Sequence, residues 1–144
     1  MEAQSFKNHH QYVTGFHFIL FGVLVLTLVG AIINLVKCWG NHQTLYSASL
    51  IVVIDACVIM VALYGRIFAL KAQDRAIRAE ENLRHFAMTG KLLDARLTVR
   101  QIIGLRFASD GEFVELAKQA ADQGLSEDAI KQAVKNWRAD THRV

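Results

Sequence analysis

The chain has 144 residues, of which 53% are hydrophobic and 20% charged, with a formal net charge of +3 and no proline. Average usage would supply about 7 prolines, so the composition excludes disordered, collagen-like and Pro-rich linker proteins. The two cysteines lie outside any CxxC or Cys/His spacing, which excludes a disulfide-stapled secreted domain and a structural zinc site.

The first apolar segment, residues 15–36, contains no charged side chain. About 20 helical residues cross a hydrocarbon core of about 30 Å, so the segment predicts a transmembrane helix after a cytoplasmic tail over 1–14. It is longer than the apolar region of a signal peptide, and no A-x-A-like cleavage site follows. We therefore expect a retained anchor.

A second long helix is predicted after an outer loop over 37–44. Residues 45–63 contain one charge, Asp55, and no proline or helix-ending glycine occurs before Thr89-Gly90-Lys91. The pattern predicts one helix over 45–88, which crosses the membrane and continues into the cytoplasm. Together with 15–36 it forms a two-helix transmembrane hairpin in an all-α membrane protein.

Basic residues predict the orientation of this hairpin. The loop has Lys37 alone, whereas five basic residues follow the second span closely: Arg66, Lys71, Arg75, Arg78 and Arg84. The positive-inside rule then places both termini in the cytoplasm. We expect Arg66, Lys71, Arg75 and Arg78 to contact anionic lipid.

The long helix has a stripe of residues at alternating spacings of three and four, which we call the seam. Six of the eight alanines between 45 and 88 lie on it. Heptad spacing and small residues favour close packing against another helix, whether the first span, a second copy or another protein. The first span offers a face of Gly15, Gly22, Thr27, Gly30 and Asn34 for this contact. The seam comprises Ala48, Ile51, Asp55, Val58, Ala62, Gly65, Ala69, Ala72, Ala76, Ala79, Leu83 and Phe86.

Asp55 lies near the predicted bilayer midplane, where an ionised carboxylate costs roughly 2.5 to 3.5 kcal/mol. It should be protonated, hydrogen-bonded or paired, and Thr27 is the only polar side chain at matching depth in the first span. The structural interpretation is a hydrogen bond between the two helices. The functional alternative is an ion or proton site.

Residues 92–144 predict a small domain of three helices, capped by Thr98, Ser109 and Ser126, with Gly124 ending the second. The third helix is predicted to include Ile130, Val134 and Trp137. Such a domain is marginal alone, so we expect it to dock on the long helix or on a partner. Its expected core comprises Ile102, Ile103, Leu105, Phe107, Phe113, Leu116, Leu125, Ile130, Val134 and Trp137.

Charged pairs and a turn motif complete this part of the chain. Glu80 and Arg84 have the i,i+4 spacing of a helical ion pair. The segment 120–134 resembles the turn of a helix-turn-helix, but Glu127 and Asp128 would face the phosphates of DNA. We therefore expect no nucleic-acid partner.

His17, one turn inside the first span, is the candidate ligand for a pigment or haem. A bis-histidine haem needs a second intramembrane imidazole, which the sequence lacks, so interfacial hydrogen bonding is the favoured interpretation. No cofactor or metal is expected, with chlorophyll or haem at His17 as the alternative. The sequence contains no catalytic triad, P-loop or GxGxxG arrangement, so no enzyme activity is expected.

Three stretches resemble an uncharacterised family of short bacterial two-span membrane proteins, a domain of unknown function. They are AQDRAIRAEENLRHF over 72–86, RQIIGLRFASD over 100–110 and KNWRAD over 135–140. The resemblance covers nearly the whole chain and implies a multi-pass protein of the bacterial inner membrane. It implies no activity.

The leading hypothesis is a non-enzymatic membrane subunit that packs through its seam into a homo-oligomer or a larger complex. Its cytoplasmic domain would be presented to a partner. The first alternative is an ion or proton pathway through Asp55. The second, through His17, is a pigment- or haem-binding accessory subunit of a photosynthetic or respiratory complex.

Overall fold

A computed structural model describes residues 5–6 and 13–140, so most of the predicted tail over 1–14 and the end of the predicted C-terminal domain lie outside the described residues. Within the described ranges the chain is all-helical, with five α-helices and no strand. It divides into two compact units, which comprise the described residues of Tyr12–Ala69 and of Leu70–Val144. The helices are α1 (Phe21–Lys37, preceded by a π-helical turn over Gly15–Leu20), α2 (His42–Thr89), α3 (Val99–Leu105), α4 (Asp110–Gln123) and α5 (Glu127–Ala133).

Two helical stretches, Gly15–Lys37 and His42–Thr89, are long and apolar enough to cross a membrane. They agree with the predicted helices over 15–36 and 45–88 to within three residues at each end. The loop between them, Cys38–Asn41, is shorter than the predicted 37–44 because α2 begins at His42.

In the first unit, the predicted packing face of α1 is confirmed at Thr27, which contacts α2, but not at its glycines or at Asn34. A Cβ atom added at Gly15, Gly22 or Gly30 would meet nothing within 4 Å, and Asn34 is exposed. The buried α1 residues are instead Leu24 and Ala31. They lie three residues before and four residues after Thr27, whose hydrogen bond to α2 turns this side of α1 inward.

In the second unit, α2 ends where the sequence predicts. Gly90 has φ +74°, a conformation that side chains with a Cβ disfavour, and its N–H donates to the Phe86 carbonyl at 2.7 Å. The chain then turns back along α2. The Leu93 N–H donates to Asn82 Oδ1 at 3.2 Å, and His85 Nδ1 lies 2.7 Å from the Lys91 carbonyl oxygen.

The predicted caps of the three short helices are confirmed. Thr98 and Ser109 each form a capping box, with Gln101 and Glu112 respectively, and the Ser126 hydroxyl accepts from the Ala129 N–H. Gly124 ends α4 in the left-handed conformation.

The predicted third helix is too long. α5 stops at Ala133, and Val134 is extended. The following segment runs antiparallel to residues 107–109: Ser109 N–H donates to the Asn136 carbonyl at 3.1 Å, and Arg138 N–H donates to the Phe107 carbonyl at 2.8 Å. These bonds satisfy backbone groups that a longer α5 would have used, so Trp137 reaches the core from an extended segment.

Most of the predicted core is confirmed. Ile102, Leu105, Phe107, Phe113, Leu116, Ile130 and Val134 are buried, Leu125 and Trp137 pack against them at half burial, and Ile103 is half-buried. Leu93 and Leu97 also belong to this core, although they precede α3 in a non-helical segment.

Helices α3 and α5 pack closely against each other at Gly104. A Cβ atom added at Gly104 would come within 3.0 Å of the Glu127 carbonyl oxygen and 3.2 Å of Ile130 Cγ2. We predict that Gly104→Ala destabilises the domain by about 1 to 3 kcal/mol, because neither the Glu127 backbone nor the buried Ile130 side chain can move away without an energetic cost. Urea unfolding of the full chain in detergent, followed by Trp137 fluorescence in a Trp39→Phe background, measures this.

Gly111→Ala is the matched control. Gly111 lies in the first turn of α4 with nothing within 4 Å of an added Cβ, so the same change should be neutral or mildly stabilising. Equal destabilisation by the two variants would contradict the close contact between α3 and α5.

Candidate functional site

Within the first unit, α1 and α2 share a polar contact. The Thr27 hydroxyl donates to the Asp55 carboxyl group, at 3.1 Å to Oδ1 and 3.3 Å to Oδ2, and the same hydroxyl lies 2.9 Å from the Leu24 carbonyl oxygen. These are the two polar residues that the sequence places at matching depth. A hydroxyl has one proton and cannot donate fully to both acceptors at once.

The first unit also contains His17. Its Nδ1 lies 3.1 Å from both the N and the O of Val13, one turn earlier, and its ring makes an edge contact with Phe16. The described residues bring no group of three or more His, Cys, Asp or Glu side chains together as a metal site.

The seam has different surroundings in the two units. In the first, Ala48 is only 2% exposed, Asp55 is bonded to Thr27, and Ala62 and Ala69 are half-buried, whereas Ile51, Val58 and Gly65 are exposed. In the second, Ala72, Ala76 and Ala79 are exposed, and so are Leu83 (68%) and Phe86 (51%).

A different side of α2 is covered in the second unit. Ile77 and Glu81 are buried there, and the Arg84 side chain is only 11% exposed. The Arg84 guanidinium donates to the Ala108 carbonyl at 2.8 Å and, through Nε, to Asp110 Oδ1 at 2.8 Å. It also lies 4.2 Å from the centre of the Phe113 ring.

Arg84 forms its helical ion pair with Glu81 at 3.0 Å, not with Glu80 as predicted. The i,i+4 spacing to Glu80 was outweighed because Glu81 faces the docked domain, where its side chain is 6% exposed. Glu81 also lies 3.7 Å from the Arg138 guanidinium. One buried carboxylate thus faces two arginines from different parts of the second unit.

Two neighbouring clefts border this group. One, of about 540 Å³, is lined by Glu80, Glu81, Arg84, Ser109, Asp110 and Arg138. The other, of about 330 Å³, includes Ile77, Arg106 and Asp140, and Arg106 pairs with Asp140 at 3.2 Å. Each arginine that lines these clefts lies close to a carboxylate. This arrangement is typical of a structural ion-pair network.

Glu112 ties the end of the domain to α4. Its carboxylate accepts hydrogen bonds from the N–H groups of Lys135 (3.1 Å) and Asn136 (3.0 Å) as well as from Ser109. Partial burial raises the pKa of the Glu112 carboxyl, but the bonds from Asn136, Lys135 and Ser109 lower it by more, so the net shift is downward. Hydrogen bonds from Arg84 likewise lower the pKa of Asp110.

The basic residues predicted to contact lipid differ in how exposed they are. Lys71, Arg75 and Arg78 are exposed, and Arg66 is half-buried. The docking contacts of Arg84 with Ala108, Asp110 and Phe113 were not predicted from the sequence. Ile77, a lone large apolar residue in the charged stretch over 71–82, was the signal that a second side of α2 is covered.

A family model with the description "Family of unknown function (DUF6526)" matches residues 1–144 of the chain. No curated protein and no solved structure matches it.

We predict that Arg84→Ala destabilises the docking of the domain on α2 by about 2 to 4 kcal/mol, since it leaves Glu81 buried without its closest cation. Hydrogen exchange at the Leu93 amide, which bonds Asn82, should accelerate. Arg96→Ala is the control: Arg96 pairs with Asp94 and Asp122 at the surface, so its loss should cost much less than the loss of Arg84. Equal effects of the two substitutions would contradict the role of Arg84.

We also predict that the domain loses stability as pH falls. A carboxyl group whose pKa is lowered by folding stabilises the fold above its unfolded pKa, here the ordinary Glu value of 4.5, and loses that contribution as pH falls through the folded pKa. The free energy of unfolding should therefore decline between about pH 5 and pH 3.

Glu112→Gln should be less stable than the wild type at neutral pH and should show a shallower decline. Asp94 and Asp110, whose pKa values are also lowered, account for the dependence that remains. Urea unfolding at several pH values tests this, and an identical pH slope in the variant would show that Glu112 is not involved.

Proposed function

The chain belongs to the DUF6526 family, a family of unknown function, and we propose that it is a non-enzymatic integral membrane subunit. It anchors itself in the bacterial inner membrane by a two-helix hairpin, with both termini in the cytoplasm. It packs through its seam into a homo-oligomer or a larger complex and presents its C-terminal helical domain to a partner.

The surface of the first unit supports the membrane anchor. A soluble core helix is mostly buried, whereas only 11% and 6% of the most apolar stretches of Gly15–Lys37 and α2 are buried. Large side chains such as Leu26 and Val61 lie on the outside. Lipid is the solvent that such a surface requires.

The distribution of basic residues supports the orientation. Lys71, Arg75 and Arg78 are exposed just after the apolar part of α2, whereas the stretch between the two apolar segments has a single basic residue, Lys37 at the end of α1. Exposed cations beside a span favour the cytoplasmic side and its anionic lipids.

One observation is the main support for a subunit role: the lower seam, defined as Ala72, Ala76, Ala79, Leu83 and Phe86, is exposed. The chain's own C-terminal domain lies against Ile77, Glu81 and Arg84 and leaves this stripe uncovered. Two large apolar side chains on a regular helical stripe are typical of a surface that another helix covers.

The contacts of Asp55 favour a structural role over an ion pathway. A protonated Asp55 would donate to the Thr27 hydroxyl, and Thr27 would then donate to the Leu24 carbonyl, so that each polar group has a partner. This arrangement joins α1 to α2 at the depth where an unpaired carboxylate is most costly.

Membrane fractionation tests the anchor. The full chain should remain in the membrane pellet after an alkaline wash, and protease added to inverted inner-membrane vesicles should remove the C-terminal domain. Added to spheroplasts, the protease should leave that domain intact. Release of the chain by the alkaline wash would overturn the proposal.

Substitution of Asp55 tests its role. Asp55→Asn keeps a donor for Thr27, so membrane insertion and co-purification of partner chains should match the wild type. Asp55→Leu removes the bond and should reduce the yield of folded chain. If Asp55→Asn abolishes an ion-dependent activity of the host complex while assembly is intact, the ion-pathway alternative is correct.

A further inference from the structure

We infer that a second copy of this chain covers the lower seam, with the two α2 helices parallel and in register. The inference rests on the proposed function, because it takes the chain to be a membrane subunit. The lower seam is the one α2 surface in the second unit that combines heptad spacing with exposed large apolar residues, and a second copy is the molecule that covers it.

The position of the docked domain leaves room for such a partner. At 100° per residue, the centre of Ile77, Glu81 and Arg84 lies roughly 130° around α2 from the centre of Ala76, Ala79 and Leu83. The first set is buried or nearly so, and the second is exposed. A partner helix can therefore approach the lower seam without displacing the domain.

The composition of the lower seam fits a helix of the same kind. In heptad notation Ala76 and Leu83 are a positions, and Ala72, Ala79 and Phe86 are d positions. In a parallel pair each a residue meets its own counterpart, as does each d residue. The small Ala pairs permit close approach, and Leu83 and Phe86 bury apolar area at the end of the stripe.

Charges beside the lower seam favour a parallel second copy. Arg75 is a g position and Glu80 is the e position five residues later, the spacing at which g of one helix meets e of a parallel partner. Two Arg75–Glu80 pairs would form by symmetry. Among the ion pairs of residues 13–140, neither residue takes part, and both are exposed.

The same charges disfavour the antiparallel arrangement. There, g positions face g positions and e positions face e positions, so Arg75 would not meet Glu80. Two copies inserted in one membrane with the same orientation have parallel α2 helices. The membrane also raises the effective concentration of the second copy, which a stripe of two heptads needs.

Disulfide cross-linking in membranes containing the full chain tests this inference. In a background with Cys38→Ser and Cys57→Ala, single cysteines are introduced by Ala79→Cys and by Leu83→Cys. Met88→Cys is the control, because Met88 is an exposed apolar residue at an f position, away from the lower seam. We expect at least fivefold more cross-linked dimer at positions 79 and 83 than at 88.

Charge exchange tests the register independently. Arg75→Glu alone or Glu80→Arg alone should reduce dimer formation by Leu83→Cys about tenfold, because each replaces two attractive pairs by two repulsive ones. Combining them should restore the wild-type yield. Failure of the double variant to recover would overturn the parallel register.

The same membranes distinguish failure of this inference from failure of the proposed function. If the chain withstands the alkaline wash but positions 79 and 83 cross-link no better than 88, or only to a different polypeptide, the second copy is wrong and the membrane subunit stands. If the chain is washed out, the proposed function itself fails.

Discussion

The guanidinium of Arg84 makes four different kinds of contact, and three of them join α2 to the C-terminal domain. It pairs with Glu81 on its own helix, donates to the Ala108 carbonyl, binds the Asp110 carboxylate and lies over the Phe113 ring. Each contact satisfies part of a charge that is costly to bury alone. A domain of about 50 residues, which is marginal by its own core, thereby gains a second surface.

The contact between Arg84 and the domain determines which side of α2 is covered and which side stays exposed. The side of the helix with Ile77, Glu81 and Arg84 is occupied, so the lower seam remains for another molecule. In the first unit the seam is used differently, because Asp55 is bonded to Thr27 of α1 and Ala48 is buried. One heptad stripe thus serves an internal contact in one unit and an exposed surface in the other.

Local signals made most of the fold predictable from sequence. Gly90, the caps Thr98, Ser109 and Ser126, and Gly124 set helix ends through interactions within a few residues. The predictions were wrong where residues far apart in the sequence determine the structure. Glu112 binds the Lys135 and Asn136 amides beyond the end of α5, and Arg84 binds Asp110, 26 positions later in the chain. Thr27 and Asp55 were matched by depth alone, but the buried face of α1 depends on packing that periodicity does not specify.

A double-mutant cycle between Arg84→Met and Asp110→Asn tests whether Arg84 couples α2 to the C-terminal domain. Both variants and their combination would be compared with the wild type by urea unfolding followed at Trp137. The contact predicts that the two substitutions together cost less than the sum of their separate effects. Effects that add to within about 0.3 kcal/mol would contradict it.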